Sequence, residues 1–146
     1  MAISASIAAA AATAPAPEGT MPLRNEQDIV MSRQMVRKLT QALGFSLVDQ
    51  TKMITAASEL SRNAVVYGGG GEMRWKVVTK TVRTGLELAF EDKGPGIPDM
   101  DLALTDGWTS GTGMGVGLSG SRRLVNEFEI RSAPGEGTCV TITRWK

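Results

Sequence analysis

Apolar residues in the first half of the chain recur every three or four positions, which is the spacing of amphipathic helices. One helix is predicted to begin at Asp28, a residue type that caps helix N-termini, and to end before Gly44. A second, longer helix is predicted from Ser46, which opens a capping sequence, to about Tyr67. The glycines at positions 68–71 end this helix, because glycine is a poor helix former.

The second half of the chain alternates apolar and polar residues, which predicts β-strands at residues 72–79, 85–90, 127–132 and 138–145. A short helix is predicted from residue 119 to about 126, and residues 21–27 are predicted as a short edge strand. Because the long helices come first and the strands follow as two hairpins, the predicted fold class is α+β. The predicted architecture is a two-layer α/β sandwich with a mostly antiparallel sheet.

The composition narrows the possible functions. The 146 residues carry a net charge of +1, contain no histidine and include one cysteine, Cys139. A disulfide framework, a Cys/His zinc site, a Ser-His-Asp relay and a phosphohistidine mechanism are therefore excluded. No dense group of Lys and Arg indicates binding to nucleic acid or to a membrane, and no apolar stretch is long enough to span a bilayer.

The N-terminal residues differ in composition from the rest of the chain. Residues 1–22 are rich in alanine and proline and lack the basic start of a signal peptide, so they are predicted to be a flexible tail. A single domain is predicted over residues 23–146. Together with the lone cysteine, these features favour a cytoplasmic location.

The segment from Gly107 to Gly120 places glycines at alternate positions just before the predicted short helix. Glycine lets backbone N–H groups approach an anion closely, and a helix N-terminus favours negative charge, so phosphate is the expected ligand. A surface loop is the better interpretation when this segment is considered alone. Residues 115–120 also satisfy the dinucleotide pattern G-x-G-x-x-G, but no predicted strand precedes them and too little chain follows for a doubly wound sheet.

Polar residues earlier in the chain fit other requirements of a nucleotide site. Glu59 and Asn63 lie four residues apart, on nearly the same side of the second helix. An asparagine oxygen can be the single protein ligand of a magnesium ion, and a glutamate one turn away can orient or deprotonate a nucleophile. Asp92, followed by Gly94 and Gly96, can accept a hydrogen bond from an adenine amino group. Taken singly, the pair is better explained as a solvated helix face and the turn as a polar strand exit.

Taken in order, these motifs resemble those of the ATPase superfamily that includes the gyrase-type ATPases, Hsp90, the histidine kinases and MutL. Residues 59–63, ELSRN, resemble its N box, and residues 92–96, DKGPG, its first glycine box. Residues 113–118, GMGVGL, resemble the second glycine box, and residues 137–138 the late Gly-Thr that closes the adenine pocket. The resemblance implies the histidine-kinase-like (Bergerat) fold, with helices on one face of the sheet, and ATP and Mg²⁺ as ligands.

The resemblance also implies a role for each matching residue. Glu59 is expected to take the proton of the substrate hydroxyl, Asn63 to bind Mg²⁺ and Asp92 to bind adenine. Three of the glycines, at positions 113, 115 and 117, are expected to form a lid that orders when ATP and Mg²⁺ bind. The full set of predicted nucleotide-binding residues is Asn63, Asp92, Gly94, Gly96, Gly113, Gly115, Gly117, Leu118 and Thr138.

From about Asn25 to its end, the chain is most similar to the small anti-sigma-type serine kinases. Membership implies transfer of the ATP γ-phosphoryl group to a serine or threonine of a STAS-domain antagonist in a stressosome or partner-switching module. It also implies that the released kinase binds and activates a PP2C-type phosphatase. The alternative is an anti-sigma factor, or a nucleotide-dependent sequestering partner, that binds a sigma subunit directly. Trp108, in the expected lid, departs from the family pattern.

Overall fold

The computed structural model describes residues 15–97, 100–104 and 117–146. A five-stranded antiparallel sheet, in the order β1-β2-β3-β5-β4, packs against two long helices. None of the helices in these residues has the length and apolar character needed to cross a membrane. The strands are β1 (Glu18–Leu23), β2 (Gly71–Lys80), β3 (Arg83–Asp92), β4 (Glu127–Ser132) and β5 (Thr138–Trp145), and the helices are α1 (Glu26–Ala42), α2 (Leu47–Val66), α3 (Met100–Ala103) and α4 (Gly117–Arg123).

This arrangement confirms the predicted α+β two-layer sandwich. The strand register explains why one face of the sheet is buried: Met73 on β2 lies opposite Phe90 on β3, which in turn lies opposite Val140 on β5. All three side chains are at most 4% exposed. The alternate positions, such as Arg74 and Glu91, point away from the helices and are partly exposed.

Helix α1 begins two residues before the predicted N-cap, because Asn25 and not Asp28 caps it. The side chain of Asn25 accepts a hydrogen bond from the Asp28 N–H at 3.0 Å. The carboxylate of Asp28 is instead held by Arg24, whose backbone N–H and Nε both donate to it, at 2.8 and 3.0 Å. Both residue types can cap a helix, and this local pairing decides between them.

Helix α2 has the predicted N-cap, since the Ser46 hydroxyl oxygen accepts a hydrogen bond from the Asp49 N–H at 3.1 Å. Its buried face contains small residues between larger ones, which lets the helix approach α1 closely. Ser61 of α2 and Ser32 of α1 form a buried hydrogen bond across that contact, with 2.9 Å between their hydroxyl oxygens. The buried residues of α2 are Met53, Ala56, Ala57, Leu60, Ser61 and Ala64.

The folded part of the chain begins before the predicted domain boundary at residue 23. Strand β1 pairs along its length with β2, from Glu18 opposite Lys76 to Leu23 opposite Gly71, and Leu23 is fully buried. The predicted edge strand therefore exists, but it lies closer to the N-terminus because Asn25 starts the next helix. Residues 1–14 of the predicted tail lie outside the described residues.

The antiparallel topology gives the molecule two distinct ends. At one end, the end of α2 and the end of β3 meet the start of β5, since Asp92 lies opposite Thr138. We call this the site end. The other end, which we call the distal end, contains the start of α2, the β2–β3 turn and the last residues of β5.

Arg144 of β5 holds the distal end together. Its guanidinium donates to the Asp49 carboxylate of α2, at 2.6 Å from Nη2, and to the carbonyl oxygen of Leu124 at 2.9 Å from Nη1. The Arg144 and Asp49 side chains are only 14% and 26% exposed. The hydrogen bond from Arg144 holds the pKa of the Asp49 carboxyl below its ordinary value, against the opposing effect of burial.

We expect Asp49→Asn to lower the free energy of unfolding by about 1 kcal/mol at neutral pH, because it removes a partly buried charged hydrogen bond. A carboxyl whose pKa is lowered by folding stabilises the fold above its unfolded pKa and loses that effect as the pH falls through its folded pKa. Urea denaturation should therefore show the largest difference from wild type at neutral pH and a vanishing difference in acid. Glu26→Gln, at the more exposed pair between Glu26 and Arg62, is the matched control and should change stability less. A difference that stays constant down to strongly acidic pH would contradict this interpretation.

Candidate nucleotide-binding site

Three polar atoms on α2 and its C-cap are buried without a hydrogen-bond partner among the described residues. They are Oε2 of Glu59, Oδ1 of Asn63 and the hydroxyl of Tyr67. The three residues are spaced four apart, so their side chains leave α2 on nearly the same side. A buried polar atom without a partner costs about 1 to 3 kcal/mol, so this row indicates a surface that is completed by a ligand.

Asp92 is the last residue of β3 and lies on the same face of the sheet as the core. Its Oδ1 accepts a hydrogen bond from the Gly94 N–H at 2.9 Å. Burial raises the pKa of this carboxyl above its ordinary value, although hydrogen bonds from the backbone of Gly94 and of Thr138 act in the opposite direction. The carboxylate is therefore partly desolvated, as expected for a group that binds a specific hydrogen-bond donor.

Glycines allow the end of α2 to lie directly against Asp92. The backbone N–H groups of Tyr67 and Gly68 both donate to the Asn63 carbonyl oxygen, which closes the helix. A Cβ on Gly68 would lie 2.3 Å from Cγ of Asp92, and a Cβ on Gly94 would lie 2.6 Å from Cα of Gly68. Side chains at these two positions would force the elements apart. The structure thus brings the end of the helix that carries Asn63 and Tyr67 to the Asp92 carboxylate.

The Gly-Thr pair predicted near the C-terminus also lies at the site end. Thr138 faces Asp92 across the β3–β5 pairing. Gly137 precedes it with φ of +80°, and a Cβ there would lie 2.2 Å from the Asp92 carbonyl oxygen. The β4–β5 turn therefore packs directly on the backbone of the first glycine box.

Ser132, at the end of β4, connects these two loops. Its hydroxyl accepts a hydrogen bond from the Ile97 N–H at 2.8 Å, and donates to the Gly137 carbonyl oxygen at 2.9 Å. It also lies 2.8 Å from the Thr138 hydroxyl. Nearby, the Gly135 N–H donates to the Pro95 carbonyl oxygen at 2.7 Å, which places Gly96 beside the same turn.

An open cleft of about 480 Å³ lies between the first glycine box and the β4–β5 turn. Asp92, Ser132 and Thr138 line it together with the charged side chains of Lys93 and Glu136. Glu59 and Asn63 are not among its lining residues. Its lining also includes Glu91, Arg131 and Cys139, on the sheet face away from the helices, so the cleft lies beside Asp92 and is separate from the row of unpaired atoms on α2.

The second glycine box is described only at its end. Gly113 and Gly115, like Trp108, lie outside the described residues, so their contacts stay predictions. Gly117 begins α4 with φ of +65°, and Leu118 is 8% exposed and packs in the core. The side chain of Leu118 is therefore part of the core, and its contact with nucleotide stays a prediction.

Tyr67 and Ser132 lie at the site but were not predicted from the sequence. The spacing of Glu59, Asn63 and Tyr67 along one helix face was a usable signal for Tyr67, because every fourth residue returns to the same side. No comparable signal marked Ser132, whose role depends on a turn and a loop that are 35 residues apart in the chain.

The residues at the site fit the binding of a magnesium nucleotide. Mg²⁺ prefers oxygen ligands and usually keeps several waters while it binds one or two protein groups and the phosphates of its substrate. Oδ1 of Asn63 is a buried, unpaired oxygen of this kind. Asp92, which lies against the end of α2, offers a hydrogen-bond acceptor for an amino group.

We expect Asp92→Asn to abolish measurable ATP binding, because the amide presents a donor where the carboxylate accepts. Folding raises the pKa of this carboxyl, so its charge disfavours the fold above that pKa, and the variant should be at least as stable as wild type without ligand. Calorimetric titration with ATP and thermal unfolding measure the two effects. Glu91→Gln, one position earlier on the opposite face of β3, is the matched control. Retention of wild-type affinity in Asp92→Asn would exclude this role for the carboxylate.

For wild type, ATP affinity should fall in acid, because protonation of Asp92 removes the hydrogen-bond acceptor. Since burial raises the pKa of Asp92, the fall should begin at a higher pH than for an ordinary aspartate. Titrations between pH 4 and pH 7.5 measure it. If ATP affinity did not change over that pH range, the role assigned to Asp92 would be contradicted.

Comparisons with known proteins show which family the chain is similar to. Residues 48–146 match the family model of histidine kinase-, DNA gyrase B-, and HSP90-like ATPases. The chain is 42% identical over 123 residues to the serine/threonine-protein kinase RsbT of Bacillus subtilis strain 168, a match that covers 84% of this chain and 92% of RsbT. It is 26% identical over 129 residues to the anti-sigma F factor of Thermoanaerobacter sp. strain X514, covering 84% of this chain and 89% of that protein.

A solved structure shows the same fold. The RsbU and RsbW domains of a Mycobacterium tuberculosis protein superpose with a TM-score of 0.61 at 20% identity, over 90% of this chain. This chain spans only 34% of that longer one.

Proposed function

This chain belongs to the family of histidine kinase-, DNA gyrase B-, and HSP90-like ATPases, and we propose that it is an ATP-dependent protein-serine/threonine kinase of a partner-switching module. The observation that carries the proposal is the row of buried, unpaired polar atoms at Glu59, Asn63 and Tyr67, next to the partly desolvated Asp92. A carboxylate, an amide oxygen and a separate adenine acceptor are the groups that phosphoryl transfer from ATP requires here.

The side chains divide the chemistry between them. Asp92 accepts a hydrogen bond from the adenine amino group, and Oδ1 of Asn63 binds Mg²⁺. When bound, Mg²⁺ neutralises the charge that develops on the phosphates. Glu59 accepts the proton of the substrate hydroxyl while the hydroxyl oxygen bonds to the γ-phosphorus, and the bond from that phosphorus to the β–γ bridging oxygen breaks. The products are a phosphoserine or phosphothreonine and ADP.

The partners in this proposal are a STAS-domain antagonist as the phosphorylated protein and a PP2C-type phosphatase that the released kinase binds and activates. The likeness to a serine/threonine-protein kinase over most of both chains supports the kinase part. The two partners are supported by the resemblance of the chain, from about Asn25 to its end, to the small anti-sigma-type serine kinases. The proposed setting is the cytoplasm.

We expect Glu59→Gln to bind ATP with Mg²⁺ normally but to transfer phosphate at least ~100-fold more slowly, the usual scale for loss of a general base. The measurement is transfer of the labelled γ-phosphoryl group to a purified STAS-domain protein, with ATP affinity measured in parallel. Glu87→Gln, on the sheet face away from the helices, is the control and should keep full activity. Full activity of the Glu59 variant would rule out the base assignment.

We expect Asn63→Ala to remove the dependence of ATP affinity on Mg²⁺, because the ion loses its protein ligand. Calorimetric titrations with Mg²⁺ and with a chelator should give clearly different affinities for wild type and similar ones for the variant. If the variant still responds to Mg²⁺ as wild type does, then Asn63 is not the ligand.

A second candidate function is supported by the likeness to an anti-sigma F factor over most of this chain. In that case the chain sequesters a sigma subunit, with the nucleotide controlling the interaction. Incubation with purified sigma subunits, with and without ATP and Mg²⁺, tests this directly. A sigma complex without phosphate transfer to any STAS-domain protein would favour this function over the first.

A further inference from the structure

The most exposed large apolar side chains of the described residues lie at one place, the distal end. Val82 is 93% exposed, Leu47 is 77% exposed and Val48 is 63% exposed. Leu47 and Val48 form the first turn of α2, and Val82 lies in the β2–β3 turn. We call these three residues the distal patch. Their position is the end of the molecule opposite the row of unpaired atoms.

The turn that presents Val82 is strained. Thr81 and Val82 form a two-residue connection between paired Lys80 and Arg83, and Thr81 has φ of +58°. Turns of this length favour Asn-Gly or other glycine-containing pairs, because a β-branched residue at positive φ is unfavourable by roughly 1 kcal/mol or more. Side-chain packing within the described chain does not offset that cost, since Thr81 and Val82 are both exposed.

Contacts at the C-terminal end of β5 connect the two parts of the distal patch. The Lys146 N–H donates to the Thr84 carbonyl oxygen at 2.8 Å, and the Lys146 ammonium lies against Gly44, just before α2. Arg83, next to Val82, lies over the Trp145 ring at 5.5 Å from its centroid. The turn and the start of α2 therefore border one continuous surface.

Positive side chains without an ion-pair partner border this surface. Of the carboxylates at the distal end, Asp49 is paired with Arg144, whereas Glu127 keeps its charge and accepts a hydrogen bond from the indole N–H of Trp145 at 2.6 Å. Within the part of the chain that the structure describes, Lys80 and Lys146 have no ion-pair partner. A partner surface that complements the distal patch would be apolar and bordered by carboxylates.

We propose that the distal patch is the docking surface for a protein partner that the kinase binds without phosphorylating it, through an acidic, apolar surface of that partner. This inference rests on the proposed function, in which such a partner is the phosphatase. Leu47 and Asn63 are 16 residues apart on one helix, which corresponds to about 24 Å. A partner at the distal end therefore leaves the nucleotide and the substrate serine accessible.

The test compares the double variant Leu47→Ser, Val82→Ser with wild type. The probes are a purified PP2C-type phosphatase and a purified STAS-domain antagonist from the same source as this chain. We expect phosphatase affinity to fall at least ~10-fold, since the two apolar contacts are removed. ATP affinity and the rate of phosphate transfer should stay within about 2-fold of wild type, because neither residue touches the site. Lys80→Glu should also weaken phosphatase binding and reduce its dependence on salt.

The matched control is Val30→Ser, Met31→Ser, which changes two exposed apolar residues of α1, 44% and 46% exposed, at the other end of the molecule. Unchanged phosphatase affinity in the distal variant would overturn the inference, as would a parallel loss of STAS-domain binding and phosphorylation. A change in self-association of the variant without a change in phosphatase binding would assign the patch to a second copy of this chain and would also overturn it. Failure of wild type to phosphorylate any STAS-domain protein would instead count against the proposed function.

Discussion

The contact between the end of α2 and the end of β3 is the constraint on which the site depends. Gly68 and Gly94 let the two backbones approach so closely that a Cβ on either would overlap the other element. Through this contact, a carboxylate from the sheet and a row of polar atoms from a helix become parts of one surface. The β4–β5 turn completes it, because Ser132 joins that turn to the loop after β3.

The same region is unfavourable for the stability of the chain by itself. Three buried polar atoms lack partners among the described residues, and burial disfavours the charge on Asp92. The distal end has the opposite character in its interior, where Arg144 satisfies Asp49 and the Leu124 carbonyl oxygen. A well-satisfied network at one end and unsatisfied groups at the other are consistent with a rigid scaffold that holds a binding site.

The two ends also suggest how one small domain can serve two partners. In the proposed function, a substrate serine reaches the nucleotide at the site end, whereas the most exposed large apolar residues, Val82, Leu47 and Val48, lie at the distal end. Because α2 spans the molecule between them, the separation follows from the length of one helix. In the proposed function, a partner bound at the distal end therefore does not cover the nucleotide at the site end.

The sequence by itself determined the α+β class, the bounds of β4 and β5, the Ser46 cap and the family, all of which the structure and the comparisons confirmed. These features are local: periodicity, capping residues and short motifs are encoded within a few positions. The tertiary structure alone decided that β1 begins at Glu18, that Asn25 caps α1, and that Ser132 lies at the site. Each of these depends on a pairing or a burial that involves groups from other elements or on a choice between equivalent caps. The roles of Glu59, Asn63 and Asp92 stay predictions. The structure adds that the Asp92 carboxylate of β3 lies against the end of α2.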